Sequence, residues 1–168
     1  MNYFELYGIK PSFDVDYALV KQKFYELSRT YHPDFFGNGT EDEKAEALEK
    51  SAMVNEAYKT LMDRAALTKY ILTMEGVLEE EEAYQLPPDF LMEVMDLNEQ
   101  AMELDRGNPA ALNALLSTIN HTQFELYEGI KPVMAHYESG TATEKELLQI
   151  KDYYYKRKYL ERILAGLQ

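Results

Sequence analysis

Three residues in a row carry the first hint of chemistry: His32, Pro33 and Asp34. An imidazole and a carboxylate stand on either side of a proline. Pro33 cannot continue a helix, and it drives His32 toward an extended backbone. The pair therefore sits on a bend with its polar tips toward solvent, and the question is whether that bend is a plain turn or a contact site. The chain offers little else for catalysis. The two other histidines, His121 and His136, form no His-x-x-x-His or Glu-x-x-His pair, so a di-metal carboxylate bundle is not supported. A structural role on the outer or half-buried side of a helix is expected for both. There are no cysteines, which excludes disulfides, thiolate catalysis and cysteine-ligated metal within the chain. No Gly-x-x-x-x-Gly-Lys or Gly-x-Gly-x-x-Gly string is present to cradle a nucleotide, and no carboxylate pair is set apart. The expectation is a protein with no catalytic residues, no metal site and no cofactor.

The elements that must hold the bend are helical throughout. Asp16 is placed to N-cap a helix carrying Val20, Phe24, Leu27 and Tyr31 on one face at spacings of four, three and four. Its other side carries Lys21, Lys23 and Arg29. Before it, Tyr3, Phe4, Leu6 and Tyr7 crowd a short segment closed by Gly8 and Pro11. After the bend, Thr40 and Glu43 form a capping box, and a third helix runs to about Met62 with Leu48, Ala52, Asn55, Tyr58 and Leu61 on one face. A fourth covers Arg64 to about Met74 with Leu67, Tyr70 and Ile71 inward, and Gly76 stops it. The acidic run Glu79 to Glu82 before Leu86-Pro87-Pro88 reads as a linker or hinge. Beyond it, a fifth helix starts after Pro88 and runs to about Asp105. A sixth opens on Asn108-Pro109 and runs to about Tyr137, with Pro132 expected to kink or break it. A seventh opens on the capping box Thr143 to Glu146 and runs to about Ala165. No strand alternation appears. The fold class is all-α: a helical hairpin with two short helices over 1–75, an acidic, proline-containing linker over 76–88, and a three-helix bundle over 89–168.

Charge separates the two units. Residues 1–75 hold 9 basic and 13 acidic side chains, and residues 76–168 hold 8 and 17, which makes the second unit the more acidic part of a chain of net charge −13. A nucleic-acid binder needs a basic face, so that class is disfavoured. The run Tyr153-Tyr154-Tyr155-Lys156-Arg157-Lys158 reads better as a packing edge beside a solvated basic patch able to neutralise the acidic fifth helix. No window has the apolar length of a membrane span, about 20 residues. The first residues lack the basic start and apolar core of a secretory signal, so a cytoplasmic location is expected.

The fifth helix has two apolar stripes. Phe90, Val94, Leu97, Ala101 and Leu104 suffice to join a bundle core. Leu91, Met92, Met95 and Met102 lie on the other side, bordered by Asp96, Glu99 and Glu103. Either the helix is buried on both sides, or the second stripe is a docking surface, for which methionine is well suited.

Taken together, Tyr3, Phe4 and Leu6, the basic-sided helix, His32-Pro33-Asp34 and the segment Asn55-Glu56-Ala57-Tyr58-Lys59-Thr60-Leu61 make residues 1–75 resemble a J-domain. With the acidic three-helix unit behind it, and Phe90-Leu91-Met92-Glu93 with Glu99, nearly the whole chain resembles the HscB-type co-chaperones of iron–sulfur cluster assembly. The resemblance implies two partners. A DnaK/HscA-type ATPase chaperone would meet His32, Pro33 and Asp34, with Lys21, Lys23 and Arg29 in support. An IscU-type scaffold protein would meet Leu91, Met92, Met95, Asp96, Glu99 and Glu103, with Tyr159 of the last helix. Met95 and Asp96 depart from the commoner leucine and glutamate, which bears on affinity. Some relatives carry a cysteine-rich metal-binding extension before the J-domain; this chain resembles the bacterial form without it. ATP hydrolysis would belong to the partner, and this chain would bias a conformational equilibrium. The alternative is a general J-domain protein presenting unfolded clients; the glycine-rich linker, zinc-finger repeats and β-rich client domains usual there are absent from the sequence.

Overall fold

The structure is a computed structural model describing residues 1–168. It contains seven α-helices and no strand: α1 (Tyr3–Tyr7), α2 (Tyr17–Thr30), α3 (Glu41–Leu61), α4 (Arg64–Met74), α5 (Pro88–Met102), α6 (Pro109–His136) and α7 (Glu144–Leu167). Side-chain caps set most of the helix starts. Asp16 accepts from the N–H groups of Ala18 and Leu19, and Thr40, Asp63, Asn108 and Thr143 each accept from the N–H three residues on. Each satisfies a donor that a helix start leaves open. Gly8 (φ 64°) and Gly76 (φ 79°) close α1 and α4 in the left-handed region that glycine enters without strain.

In the first unit, α2 and α3 form a hairpin, with α1 and α4 packed against it. Val20, Val54, Ala57, Leu61, Leu67 and Ile71 are fully enclosed around Phe4 and Tyr7. The Tyr7 hydroxyl donates to the Val54 carbonyl at 2.8 Å, which places α1 directly over α3. The buried face of α3 is only partly the expected one: Leu61 is enclosed and Tyr58 is half-buried, stacked on Phe24 at 4.1 Å. Ala47, Val54, Ala57 and Leu61 face inward, while Leu48 is 64% exposed and Ala52 and Asn55 lie outside. Small side chains at 47, 54 and 57 let the neighbouring helices come close.

In the second unit, α6 and α7 are antiparallel, tied by Gln123 to Glu161 at 2.9 Å near one end and His136 to Glu146 at 3.3 Å near the other. The short helix α5 lies parallel to α7: Lys156 sits over the Phe90 ring, and Arg106, just beyond α5, donates to the Gly166 carbonyl at 2.7 Å. Fully burying residues such as Ile119 and Leu160 contributes about 1.5–3 kcal/mol each. Two boundaries move. Helix α5 begins on Pro88, since proline is tolerated at the first helical position, and it ends at Met102, before the turn in which Asp105 accepts from the Gly107 N–H. Helix α6 runs unbroken through Pro132. Pro132 and Glu128, four residues back, are both on the exposed side, so the carbonyl that loses its partner faces water.

One core runs through both units. Phe13 meets Tyr137 edge-on, Tyr137 donates to Glu75 at 2.5 Å, and the Arg64 guanidinium lies 4.8 Å over the Tyr127 ring. The acidic stretch between the units is strapped to α7. Lys151 reaches the Val77 carbonyl at 2.7 Å and Glu82 at 2.9 Å, and Tyr155 donates to Glu82 at 3.0 Å. Tyr84 stacks on Tyr155 at 4.4 Å and donates to Asp152 at 2.7 Å. Burial, and then the bond to Glu82, push the Tyr155 hydroxyl up to about 12. Desolvation works to raise the Glu82 carboxyl, but the bonds from Lys151, the Glu79 N–H and Tyr155, with the charge of Lys151, hold it below its ordinary 4.5. A carboxyl depressed by folding stabilises above its unfolded pKa, and that contribution is lost as pH falls through the folded value. Lys151→Met should therefore lower stability at neutral pH by about 1–3 kcal/mol, and the gap to the parent should narrow in acid. Urea unfolding of both proteins at neutral and acid pH checks this; a gap that widened in acid would contradict it.

Candidate functional site

Helix α2 ends at Thr30, and His32 takes an extended conformation (φ −63°, ψ 130°) before a single 3-10 turn, Pro33–Phe36. The turn closes on itself: the Phe35 N–H donates to the His32 carbonyl at 3.0 Å, and the Asp34 N–H donates to His32 Nδ1 at 3.2 Å. An accepting Nδ1 leaves the proton of the neutral ring on Nε2, which faces away from the turn. The Asp34 carboxylate is 90% exposed, and no Lys or Arg pairs with it; the His32 ring lies 3.6 Å away. Phe35, 72% exposed, stands edge-on to the His32 ring. The turn packs against α3.

Arg29, His32 and Asp34 line one shallow surface depression with Tyr25, Ser28 and Phe35. At about 100° per residue, Lys21, Tyr25 and Arg29 form a single stripe of α2 leading to the turn. Lys23 does not join them. It lies on roughly the opposite side of the helix, beside the buried face, and pairs with Glu26 at 3.9 Å. Tyr25 and Phe35 are the members that the reading of charges overlooked. Tyr25 was detectable from its position four residues from both Lys21 and Arg29.

On α5, Phe90, Val94 and Leu97 are buried, and the opposite face is open. Leu91 is 44%, Met92 70%, Met95 62% and Met102 87% exposed. With Asp96, Glu99 and Glu103 they span an arc of about 140°. Asp96 accepts from Gln100 at 2.9 Å, and no cation pairs with any of the three carboxylates. Tyr159 is half-buried on α7, on the side bearing Tyr155 and Lys156, and the Arg162 guanidinium lies 5.2 Å over its ring. The parallel register sets it level with the middle of α5. The basic run of α7 does not neutralise α5: Lys156 pairs with Asp152 at 2.7 Å and Arg157 with Glu161 at 3.7 Å, both one turn away on α7 itself. His121 and His136 are exposed and pair with Glu125 and Glu146. No group of three or more His, Asp or Glu side chains is placed to hold a metal ion, and no helix is long and apolar enough to cross a membrane.

Two family models match, the DnaJ domain over residues 2–70 and the HSCB C-terminal oligomerisation domain over residues 86–168. A co-chaperone protein HscB homolog of Shewanella loihica is 32% identical over all of this chain and 96% of its own length. The chain belongs to the HscB family of J-domain co-chaperones. The HscB homolog of Vibrio vulnificus is 36% identical over 111 residues, 66% of this chain and 65% of that relative, just under two thirds. Among solved structures, human co-chaperone protein HscB superposes with a TM-score of 0.82 at 27% identity, covering 99% of this chain and 80% of the human one. Chaperone HscB from Vibrio cholerae gives 0.77 at 28% identity, covering 99% and 95%. The turn at His32 thus lies in the HscB J-domain, and the open face of α5 in the HscB C-terminal domain.

Proposed function

We propose that this chain is a cytoplasmic two-site adaptor, without an enzymatic activity of its own. Its first unit, residues 1–75, engages a DnaK/HscA-type chaperone through His32, Pro33 and Asp34, aided by Lys21 and Arg29, and stimulates its ATPase. Its second unit, residues 89–168, carries an IscU-type iron–sulfur scaffold on Leu91, Met92, Met95, Asp96, Glu99, Glu103 and Tyr159, and so promotes cluster transfer. The observation that carries this reading is a pair of unneutralised surfaces on one continuous core: a free carboxylate on a closed turn, and an apolar face rimmed by unpaired acids. A carboxylate held in fixed geometry suits a partner guanidinium. Methionines suit an adaptable docking face. The shared core and the Glu82–Lys151 strap hold the two in a defined relation.

The reading is tested by the ATPase rate of the cognate chaperone. The chain alone should raise it, and chain with scaffold should raise it further. An unfolded client that matched the scaffold would instead indicate general client presentation. No stimulation with both partners present would overturn the adaptor.

A further inference from the structure

We propose that Met92 and Met95 are sites of reversible oxidation by peroxides, and that sulfoxides there release the scaffold while leaving the ATPase-directed turn at work. The inference rests on the docking role of α5 given above. The chain has eight methionines and no cysteine to intercept an oxidant. Burial sorts them sharply. Met134 is enclosed, and Met53, Met62 and Met74 pack against the core. Met1 is exposed at the terminus, and the other three exposed ones, Met92, Met95 and Met102, share one face of α5. Between Met1 and Met53 the chain has no methionine, so the stripe from Lys21 to Arg29 and the turn at His32 contain no sulfur.

In the reaction the thioether sulfur attacks one peroxide oxygen and the O–O bond breaks. The sulfur keeps that oxygen and is oxidised by two electrons, and the second oxygen leaves as water. The product is polar and accepts hydrogen bonds. On the free chain a sulfoxide at 92 or 95 is solvated, so the fold is undisturbed. In a docked complex it is enclosed, and its near neighbours Asp96, Glu99 and Glu103 are acceptors that cannot donate to it. An enclosed acceptor without a donor weakens binding by about tenfold or more.

The test is graded hydrogen peroxide treatment of the full chain, followed by peptide mass mapping, calorimetric titration with the scaffold, and the ATPase assay. Met92, Met95 and Met102 should each gain one oxygen before Met53, Met62, Met74 and Met134. Scaffold affinity should fall about tenfold or more, basal ATPase stimulation should hold, and methionine sulfoxide reductases should restore affinity. Each protein is compared with itself before and after treatment. On that ratio the Met92→Leu, Met95→Leu double variant, in which only Met102 on this face can still be oxidised, should lose far less than the parent, whatever its starting affinity. Oxidised chain that binds as the untreated chain does, or a double variant that loses as much as the parent, overturns the switch. Untreated chain that fails to bind the scaffold overturns the docking reading itself.

Discussion

Asp34→Asn is expected to cut stimulation of the partner ATPase by about thirtyfold or more, the loss typical when one member of a desolvated charge pair is removed. The fold should not notice the change. The carboxylate is 90% exposed and makes no hydrogen bond that closes the turn. What closes it is the Asp34 backbone N–H on His32 Nδ1 and the Phe35 N–H on the His32 carbonyl, and asparagine keeps both. Stability should stay within about 0.5 kcal/mol of the parent, as for exposed substitutions generally. His32→Ala is the instructive contrast, since it removes the acceptor that orders the turn and confounds charge with geometry. Stimulation by the parent should also weaken with rising salt, because a free carboxylate and the cations Lys21 and Arg29 act across solvent before contact. ATPase titrations beside thermal melts decide the matter. An asparagine variant as active as the parent would remove Asp34 from the interface.

What the sequence disclosed depended on the range of each interaction. Caps act within three residues, and Asp16, Thr40, Asn108 and Thr143 are N-caps as their types and positions predict. The turn at His32 is equally local, because proline chemistry sets it. Periodicity tells which residues share a stripe but not which stripe is buried. On α5 the acids mark the solvent side, so the core stripe was legible. On α3 both sides mix small apolar and charged residues, and the choice fell to packing: Ala47, Val54 and Ala57 admit close neighbours, Tyr58 stacks on Phe24 at the edge of that face, and Leu48 is left outside. Lys23 lies off the stripe for a related reason: in sequence, a charge near the edge of a buried face looks the same as those on the open side. The strap was not visible at all. Glu79 to Glu82 reads as solvated chain until Lys151 and Tyr155, some seventy residues on, are seen to claim Glu82.

Replacing Leu91, Met92 and Met95 together with alanine should weaken scaffold binding by about thirtyfold or more, on the expectation that the stripe holds at least one anchor worth about 2 kcal/mol. Alanine is the strongest helix former, so α5 itself should persist. The three side chains point away from the Phe90, Val94 and Leu97 stripe that holds the helix on the bundle, and the melting temperature should be nearly unchanged. Basal ATPase stimulation should be unchanged as well, since the turn at His32 belongs to the other unit. Leu97→Ala is the control for a core effect. It is one of the buried anchors, and its truncation should cost about 2–5 kcal/mol of stability and lower scaffold binding only as the unit loosens. The two variants separate docking from packing on a helix where Met95 and Leu97 are only two residues apart. Should the triple variant lose stability and both activities together, the open face of α5 would be part of the core, and the scaffold would have to dock elsewhere.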